Sequence, residues 1–132
     1  MIVLDENIHD ARILGSVRRW YRGQVISIVE LRPQTIIKDD AISGLLLQVQ
    51  SPTFVTINVV DFWRKISPHP RYCIVTLALP QQMALQIPEL LRRLLRQDSF
   101  RTKAQRMGYI FRVTPENFAY YTHNLSITDQ NW

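Results

Sequence analysis

Short apolar runs alternate with longer segments of helical periodicity through the first hundred residues of the chain. The apolar runs are rich in β-branched and aromatic residues, as strands are. They predict four strands, at roughly residues 2–5, 25–29, 53–57 and 72–79. Strands that alternate with helices form βαβ units, so the pattern predicts an α/β fold with a mainly parallel central sheet.

Three helices are predicted between and after these strands. Asn7 is the candidate N-cap of the first helix, which ends at Gly23. The second helix begins at Asp39 and runs to about residue 50, and the third covers residues 81–97, with Pro88 restarting or kinking it. The apolar positions that recur at helical spacing in the first helix are Ile8, Ala11, Leu14, Val17 and Tyr21.

The C-terminal segment, residues 101–132, has a different pattern. Two aromatic-rich runs at 109–113 and 118–123 flank the turn sequence at 114–117, which predicts a β-hairpin. We interpret this segment as an extension of a single domain whose main part is residues 1–100. Its aromatic side chains could stack on nucleobases, but aromatic hairpins more often cover a sheet edge or a partner. We therefore predict a homodimer formed through this hairpin.

Length and composition are those of one ordinary globular domain, with 132 residues, 46% hydrophobic and 20% charged. The lone cysteine, Cys73, lies in an apolar run and is predicted to be a buried, inert thiol. No apolar stretch reaches the about 18 residues needed to span a membrane, and no basic leader precedes the first strand. A cytoplasmic protein without a membrane contact is the expectation.

Several classes of chemistry have no support in the sequence. The three histidines and the single cysteine have no zinc-ligand spacing. Neither a glycine-rich phosphate loop nor a Gly-x-Ser-x-Gly nucleophile motif occurs, so nucleotide cofactors and serine-type catalysis are not predicted.

Basic residues are in excess and unevenly placed. The formal net charge is +5, and arginines cluster early and late in the chain. Such clusters suit a polyanion, although solvated helix faces carry similar patterns. The early cluster is Arg18, Arg19 and Arg22; the late one is Arg92, Arg93, Arg96, Arg101, Lys103 and Arg106.

Acidic residues stand at three junctions where a predicted strand or loop ends. Asp5 and Glu6 follow the first strand, Asp39 and Asp40 open the second helix, and Asp61 follows the third strand. If the strands are parallel, these junctions share one edge of the sheet, where α/β proteins bind ligands. Converging carboxylates repel each other unless a cation neutralises them, which favours a site for Mg²⁺ or Mn²⁺. For Asp39 alone, capping of its own helix is the competing role.

Three segments together resemble a PIN domain. They are LDEN at residues 4–7, DDAI at 39–42 and FVTINVVDF at 54–62. The resemblance covers roughly residues 1–97 and is nearest to VapC-type toxin ribonucleases, within an LDEN-type PIN-like subfamily. It implies a three-layer α/β/α fold and a metal-dependent ribonuclease that cleaves RNA. It also implies the toxin of a toxin–antitoxin pair, with an antitoxin protein as partner.

The resemblance assigns roles to individual positions. Asp5, Asp39 and Asp61 match the catalytic, metal-binding acids, and Mg²⁺ or Mn²⁺ is the implied cofactor. Supporting roles fall to residues beside them, which are Glu6, Asn7, Asp40, Thr56 and Asn58. The predicted contacts to RNA phosphates are Arg18, Arg19, Arg22, Arg64 and Lys65.

Two features depart from the family pattern. Several related sequences carry an acid where this chain has Asn58, and the usual separate glutamate of longer VapC-type chains has no clear counterpart. A smaller acid set leaves a second hypothesis open. The chain would then be a catalytically degenerate PIN-like module that binds nucleic acid or another protein.

Overall fold

The computed structural model of the chain describes residues 1–31 and 39–132, and for residues 39 and 40 it describes the backbone alone. Seven strands form one sheet in these parts of the chain, in the order β2-β1-β3-β4-β5-β6-β7. The strands are β1 (Ile2–Leu4), β2 (Val25–Ser27), β3 (Thr53–Thr56), β4 (Cys73–Leu77), β5 (Ile110–Val113), β6 (Asn117–Tyr121) and β7 (Thr128–Asn131). The first five are parallel, and β6 and β7 are antiparallel to their neighbours.

Helices cover both faces of the sheet. They are α1 (Ala11–Trp20), α2 (Asp39–Leu46), α3 (Val59–Phe62), α4 (Ile87–Leu95) and α5 (Lys103–Arg106), with 3₁₀ segments at Ile28–Glu30, Gln81–Gln86 and Asp98–Phe100. No helix within the described residues is long and apolar enough to cross a bilayer. The α/β fold with a mainly parallel sheet is therefore confirmed, in the three layers that were expected.

Two hydrophobic clusters hold the layers together, because successive side chains of a strand point to opposite faces. Ile2, Leu4 and Val55 pack on one face with α1 and α4. Val3 and Phe54 pack on the other face with α2 and α3. The central strands are buried on both faces, as in sheets flanked by helices on each side.

The parallel strands define two edges of the sheet. We call the edge at their C-terminal ends the carboxyl edge and the opposite one the amino edge. Helices α1 and α4 each lead from the end of one parallel strand back to the start of another. Their first turns therefore lie towards the carboxyl edge and their last turns at the amino edge.

The predicted start of the first helix is wrong. Helix α1 begins at Ala11, and its N-cap is Asp10, whose carboxylate accepts a hydrogen bond from the backbone N–H of Arg12 at 2.9 Å. Residues 5–8 instead form a turn, closed by the N–H of Ile8 and the carbonyl of Asp5 at 2.9 Å. The helix ends at Trp20, with Tyr21 extended, so Gly23 lies beyond its end.

Other predicted elements are present but shorter. The second strand ends at Ser27, because Ser27 and Glu30 form a capping box that starts a 3₁₀ turn. The second helix ends at Leu46 rather than near residue 50, and the segment 81–97 is a 3₁₀ turn followed by α4, with a proline at its start.

The predicted hairpin is present as β5 and β6, and it continues the main sheet. Strand β5 pairs in parallel with β4, from Ile74 opposite Ile110 to Leu77 opposite Val113. Its aromatic side chains pack inside the chain, with Phe100 against Phe111 at a ring-centroid distance of 4.8 Å. Strand β7, which the sequence pattern did not predict, covers the edge of β6. The homodimer stays a prediction, but the buried aromatic face no longer argues for it.

Candidate functional site

The carboxyl edge of β1 and β3 carries a buried carboxylate, Asp5. Residue Asp5 follows the last residue of β1, and its N–H donates to the carbonyl of Val55 in β3 at 2.8 Å. Only 3% of Asp5 is exposed. Its Oδ2 accepts a hydrogen bond from Thr56 Oγ1 at 2.7 Å, and its Oδ1 accepts one from the backbone N–H of Glu6 at 2.8 Å.

Burial dominates the electrostatics of Asp5. Desolvation raises the pKa of this carboxyl above its ordinary value of 3.8, although the hydrogen bonds from Thr56 and Glu6 act in the opposite direction. The negative charge of Glu6 adds to the increase in pKa. A carboxylate in this position gains from a nearby cation, because the cation compensates the hydration that burial removes.

Thr56 connects Asp5 to the next segment of the chain. Its side chain is fully buried, and its Oγ1 accepts hydrogen bonds from the backbone N–H of Asn58 at 3.0 Å and from Asn7 Nδ2 at 3.5 Å. The same oxygen donates its proton to Asp5. A single hydroxyl therefore fixes the positions of Asp5 and of the turn that leads into α3.

Asn58 and Asp61 lie on the one-turn helix α3. Asn58 is its N-cap, with Oδ1 accepting from the N–H of Asp61 at 3.3 Å, and its Nδ2 donates to Asp61 Oδ2 at 2.7 Å. The other oxygen of Asp61 lies 3.6 Å from the ammonium of Lys65. Asp5, Thr56, Asn58 and Asp61 thus form one hydrogen-bonded chain, which we call the acidic network.

Asn7 contributes a buried side-chain oxygen, Oδ1, next to Thr56. Within the described residues its Oδ1 is buried and has no hydrogen-bond partner. Buried amide oxygens normally accept a hydrogen bond, and a hard cation is an alternative partner for such an oxygen. The predicted capping role of Asn7 falls to Asp10, and its amide faces Thr56 instead.

For Asp39, the third predicted acid, the structure describes the backbone position alone. Asp39 and Asp40 are the first two residues of α2, and their side chains lie outside the described residues. Among the side chains that are described, no group of three histidine, cysteine, aspartate or glutamate residues is arranged to hold a metal ion. Glu6 is exposed and meets Asp5 through its backbone N–H.

The predicted RNA-contacting residues fall at two separate places. Arg64 and Lys65 follow α3 beside the acidic network; the Arg64 guanidinium lies 5.1 Å from the centre of the Tyr121 ring. Arg18, Arg19 and Arg22 lie at the end of α1, where Arg18 donates to the carbonyl of Val25 at the start of β2. The early cluster is therefore at the amino edge, opposite the acids.

Sequence reasoning did not single out Arg112, which lies on β5. Its guanidinium lies 5.8 Å from the centre of the Trp63 ring, and its Nε is buried without a hydrogen-bond partner among the described residues. Trp63 also packs edge-on against Tyr121 at 5.1 Å. The sequence feature that could have indicated Arg112 is a charged residue within an otherwise apolar, aromatic strand. Trp63 anchors the region between α3 and the hairpin.

Comparisons of the chain with protein-family models, with curated proteins and with solved structures found no match. The function of the chain is therefore inferred from its own fold, residues and site geometry.

Proposed function

We propose that the chain is a PIN-like metal-dependent ribonuclease, with Asp5, Asp61 and Asp39 as the acids that hold Mg²⁺ or Mn²⁺. The observation that carries the proposal is the buried carboxylate of Asp5 at the carboxyl edge, joined through Thr56 and Asn58 to Asp61. Ligand sites of α/β sheets lie at this edge. The resemblance of three segments to the PIN domain supports the same assignment.

The donor atoms fit a hard cation. Carboxylate and amide oxygens are the ligands that Mg²⁺ prefers, and Asn7 Oδ1 is a buried oxygen without a donor in the described part of the chain. The raised pKa of Asp5 has burial as its main cause, which a divalent charge would offset.

The residues of the site have separate tasks in this mechanism. A divalent cation supplies an activated water and stabilises charge on the scissile phosphate when it is bound. Thr56 holds Asp5 in one orientation through its hydroxyl, and Asn58 does the same for Asp61. Lys65 and Arg64 offer exposed positive charge beside these acids, where a phosphodiester of RNA would approach.

The test compares cleavage of single-stranded RNA by the wild type, Asp5→Asn and Asp129→Asn in the presence of Mn²⁺. Asp129 undergoes the same chemical change on the exposed outer strand β7, four strands away from β3. The wild type and Asp129→Asn should cleave, and Asp5→Asn should lose at least about 100-fold in rate. Equal trace activity in all three proteins would refute catalysis at this site.

A folding control belongs with this test. Asparagine keeps the shape of the aspartate and one oxygen, which can accept from the N–H of Glu6 while its NH2 donates to Thr56 Oγ1, so Asp5→Asn should fold. Mn²⁺ should raise the melting temperature of the wild type and of Asp129→Asn, since it binds the folded state. It should not raise that of Asp5→Asn. No shift in the wild type would argue against the metal site itself.

A second candidate function is a non-catalytic nucleic-acid-binding module. Asn58 favours it, because its Nδ2 donates to Asp61 Oδ2 at 2.7 Å and occupies an oxygen that a cation would use. This candidate predicts RNA binding that persists in EDTA, together with no Mn²⁺-dependent cleavage. The same three proteins therefore decide between the two functions.

The toxin role and its compartment are part of the proposal. An RNA substrate makes the cytoplasm the expected compartment, and an antitoxin would be the expected partner. A reading frame for a small antitoxin-like protein beside this one would support the toxin role. A neighbourhood without one would favour a ribonuclease that acts alone.

A further inference from the structure

Two basic clusters that are far apart in sequence meet at the amino edge. Helices α1 and α4 pack against each other and both end at this edge. The last turn of α1 carries Arg18 and Arg19, and the end of α4 carries Arg92 and its C-cap residue Arg96. Arg93 points away from them, and its Nη1 donates to the carbonyl of Pro115 at 3.4 Å. The chain then continues through the 3₁₀ segment Asp98–Phe100 and α5 before it enters β5.

A cavity of about 240 Å³ opens between these elements. Four of its lining residues are arginines and two are aromatic. We call it the arginine pocket; the residues that define it are Trp20, Tyr21, Arg92, Arg96, Arg101 and Arg106.

Arg106 is the most buried of the four pocket arginines. It is only 2% exposed. Its Nε donates to Thr53 Oγ1 at 3.3 Å, and its Nη1 donates to the carbonyls of Phe100 at 3.1 Å and Arg101 at 3.0 Å. Every one of these acceptors is neutral. Within the described residues, Nη2 makes no hydrogen bond and no carboxylate pairs with this guanidinium.

Among the residues that the structure describes, no buried acid compensates the positive charge of Arg106. In the same part of the chain, Asp98 is the acid that pairs with a pocket arginine, with Arg101 at 3.1 Å, and its side chain is 96% exposed. Such a surface pair screens little charge. Burying a charge without an opposite one is unfavourable, so the pocket is built to receive an anion.

We propose that the arginine pocket binds the phosphate group of a nucleotide. Guanidinium groups bind phosphate oxygens in paired hydrogen bonds, and the half-buried indole of Trp20 offers a surface on which a base can stack. The cavity is smaller than the about 300 Å³ at which pockets enclose a whole drug-sized ligand. It therefore takes the phosphate-bearing end of the ligand and leaves the remainder outside. This site is separate from the acidic network and does not depend on the ribonuclease proposal.

The test measures binding by calorimetry, with inorganic phosphate, adenosine 5′-monophosphate and short single-stranded oligonucleotides as probes. Arg96→Gln removes an exposed pocket arginine and should weaken binding about tenfold. Arg93→Gln is the matched control, since it makes the same change in the last turn of α4, next to the C-cap residue Arg96, at a side chain that does not line the pocket. It should change binding less than about twofold.

The oligonucleotides are used with a 5′-phosphate and with a 5′-hydroxyl. Tighter binding of the phosphorylated strand identifies a strand terminus as the ligand, and equal binding of both identifies internal phosphodiesters. Binding of the mononucleotide with no gain from a longer strand identifies a free nucleotide. In each case Arg96→Gln must bind the probe more weakly than the wild type and Arg93→Gln do.

Two results would overturn the proposal. One is equal weakening by Arg96→Gln and Arg93→Gln, which would indicate general electrostatic attraction. The other is a wild type that binds no probe below about 1 mM. All probes are titrated in EDTA, so that binding at the arginine pocket is measured without a metal ion at the acidic network. Asp129→Asn, on the outer strand β7, should bind them as the wild type does.

Discussion

The fold buries three ionisable side chains, Asp5, Arg106 and Cys73, in three different environments. Asp5 is held by hydrogen bonds from Thr56 and Glu6, and Arg106 by the oxygens of Thr53 and two carbonyls. Cys73 stays neutral, because complete burial raises the pKa of its thiol to about 12. Asp5 and Arg106 are candidates for ligand sites, and Cys73 serves the core.

The buried thiol of Cys73 should make the free energy of unfolding decrease at alkaline pH. Since its folded pKa of about 12 exceeds the ordinary value of 9.0, the unfolded chain loses the proton first as pH rises. Its contribution to stability is therefore complete below pH 9 and is lost as the pH rises from 9 towards 12. Between pH 8 and pH 10 the wild type should lose about 1 kcal/mol of unfolding free energy that Cys73→Ala does not lose.

Urea unfolding of both proteins at the two pH values measures this difference. The two proteins differ only at residue 73, so the comparison isolates the thiol. The same pH dependence in Cys73→Ala would contradict the assignment. Native Cys73 should also resist thiol reagents until the protein unfolds.

The local sequence predicts part of the candidate site, and the rest depends on contacts between residues far apart in the chain. An acid directly after an apolar run marks Asp5 as a residue at the end of a strand. Asn7 and Asp10 are both good N-caps locally, and the choice between them follows from Thr56, which attracts the amide of Asn7. No local pattern contains that contact, since it joins positions 49 residues apart.

At the scale of elements, the 3₁₀ segment Asp98–Phe100 joins the hairpin to the rest of the fold. The ring of Phe100 packs against Phe111 at 4.8 Å and Tyr120 at 5.0 Å, and also contacts Tyr109 and Phe118. Its carbonyl accepts a hydrogen bond from Arg106. One short turn therefore stabilises both the aromatic core of the hairpin and the arginine pocket.

Truncation of this ring should be costly. Phe100→Ala should lower the free energy of unfolding by about 3 kcal/mol, because it leaves a cavity among four aromatic rings. Phe100→Leu retains most of the volume and should cost less than half as much. Urea denaturation measures both. Equal, small effects of the two substitutions would mean that the hairpin is stabilised elsewhere.

The sequence predicted the hairpin but not its position in the fold. The alternation of aromatic residues in 109–123 is a local signal, and it correctly gave β5 and β6. Pairing of β5 with β4 in parallel depends on the whole segment between them, which crosses one face of the sheet. Strand β7 escaped prediction because its residues, Thr128–Asn131, are polar and exposed, so no buried face marks them.

At the scale of the whole molecule, charge is divided between the two edges of the sheet. Asp5 and Asp61 lie at the carboxyl edge, and Arg18 of α1 and the arginines of the arginine pocket lie at the amino edge. Strands this short put roughly 13 Å between the two edges. The sequence showed both basic clusters, but their meeting depends on the packing of α1 against α4.

In the proposed ribonuclease, this division would separate long-range attraction of RNA from cleavage. The double variant Arg19→Gln/Arg22→Gln should reduce the slope of log K against log salt for single-stranded RNA by up to about 1.4, or about 0.7 for each phosphate that is no longer neutralised. Cleavage of a dinucleotide, which is too short to reach the amino edge, should be unchanged. If the double variant also cleaved the dinucleotide more slowly, these arginines would lie near the reacting phosphate.

The outer position of β7 also bears on how copies of this chain behave at high concentration. The open edge of a sheet is a template for pairing with another chain, and β6 would offer such an edge lined with phenylalanine and tyrosine. Strand β7 presents threonine, aspartate, glutamine and asparagine there instead. Detachment of this one polar strand would therefore turn the folded chain into a seed for ordered aggregation, without disturbing either proposed ligand site.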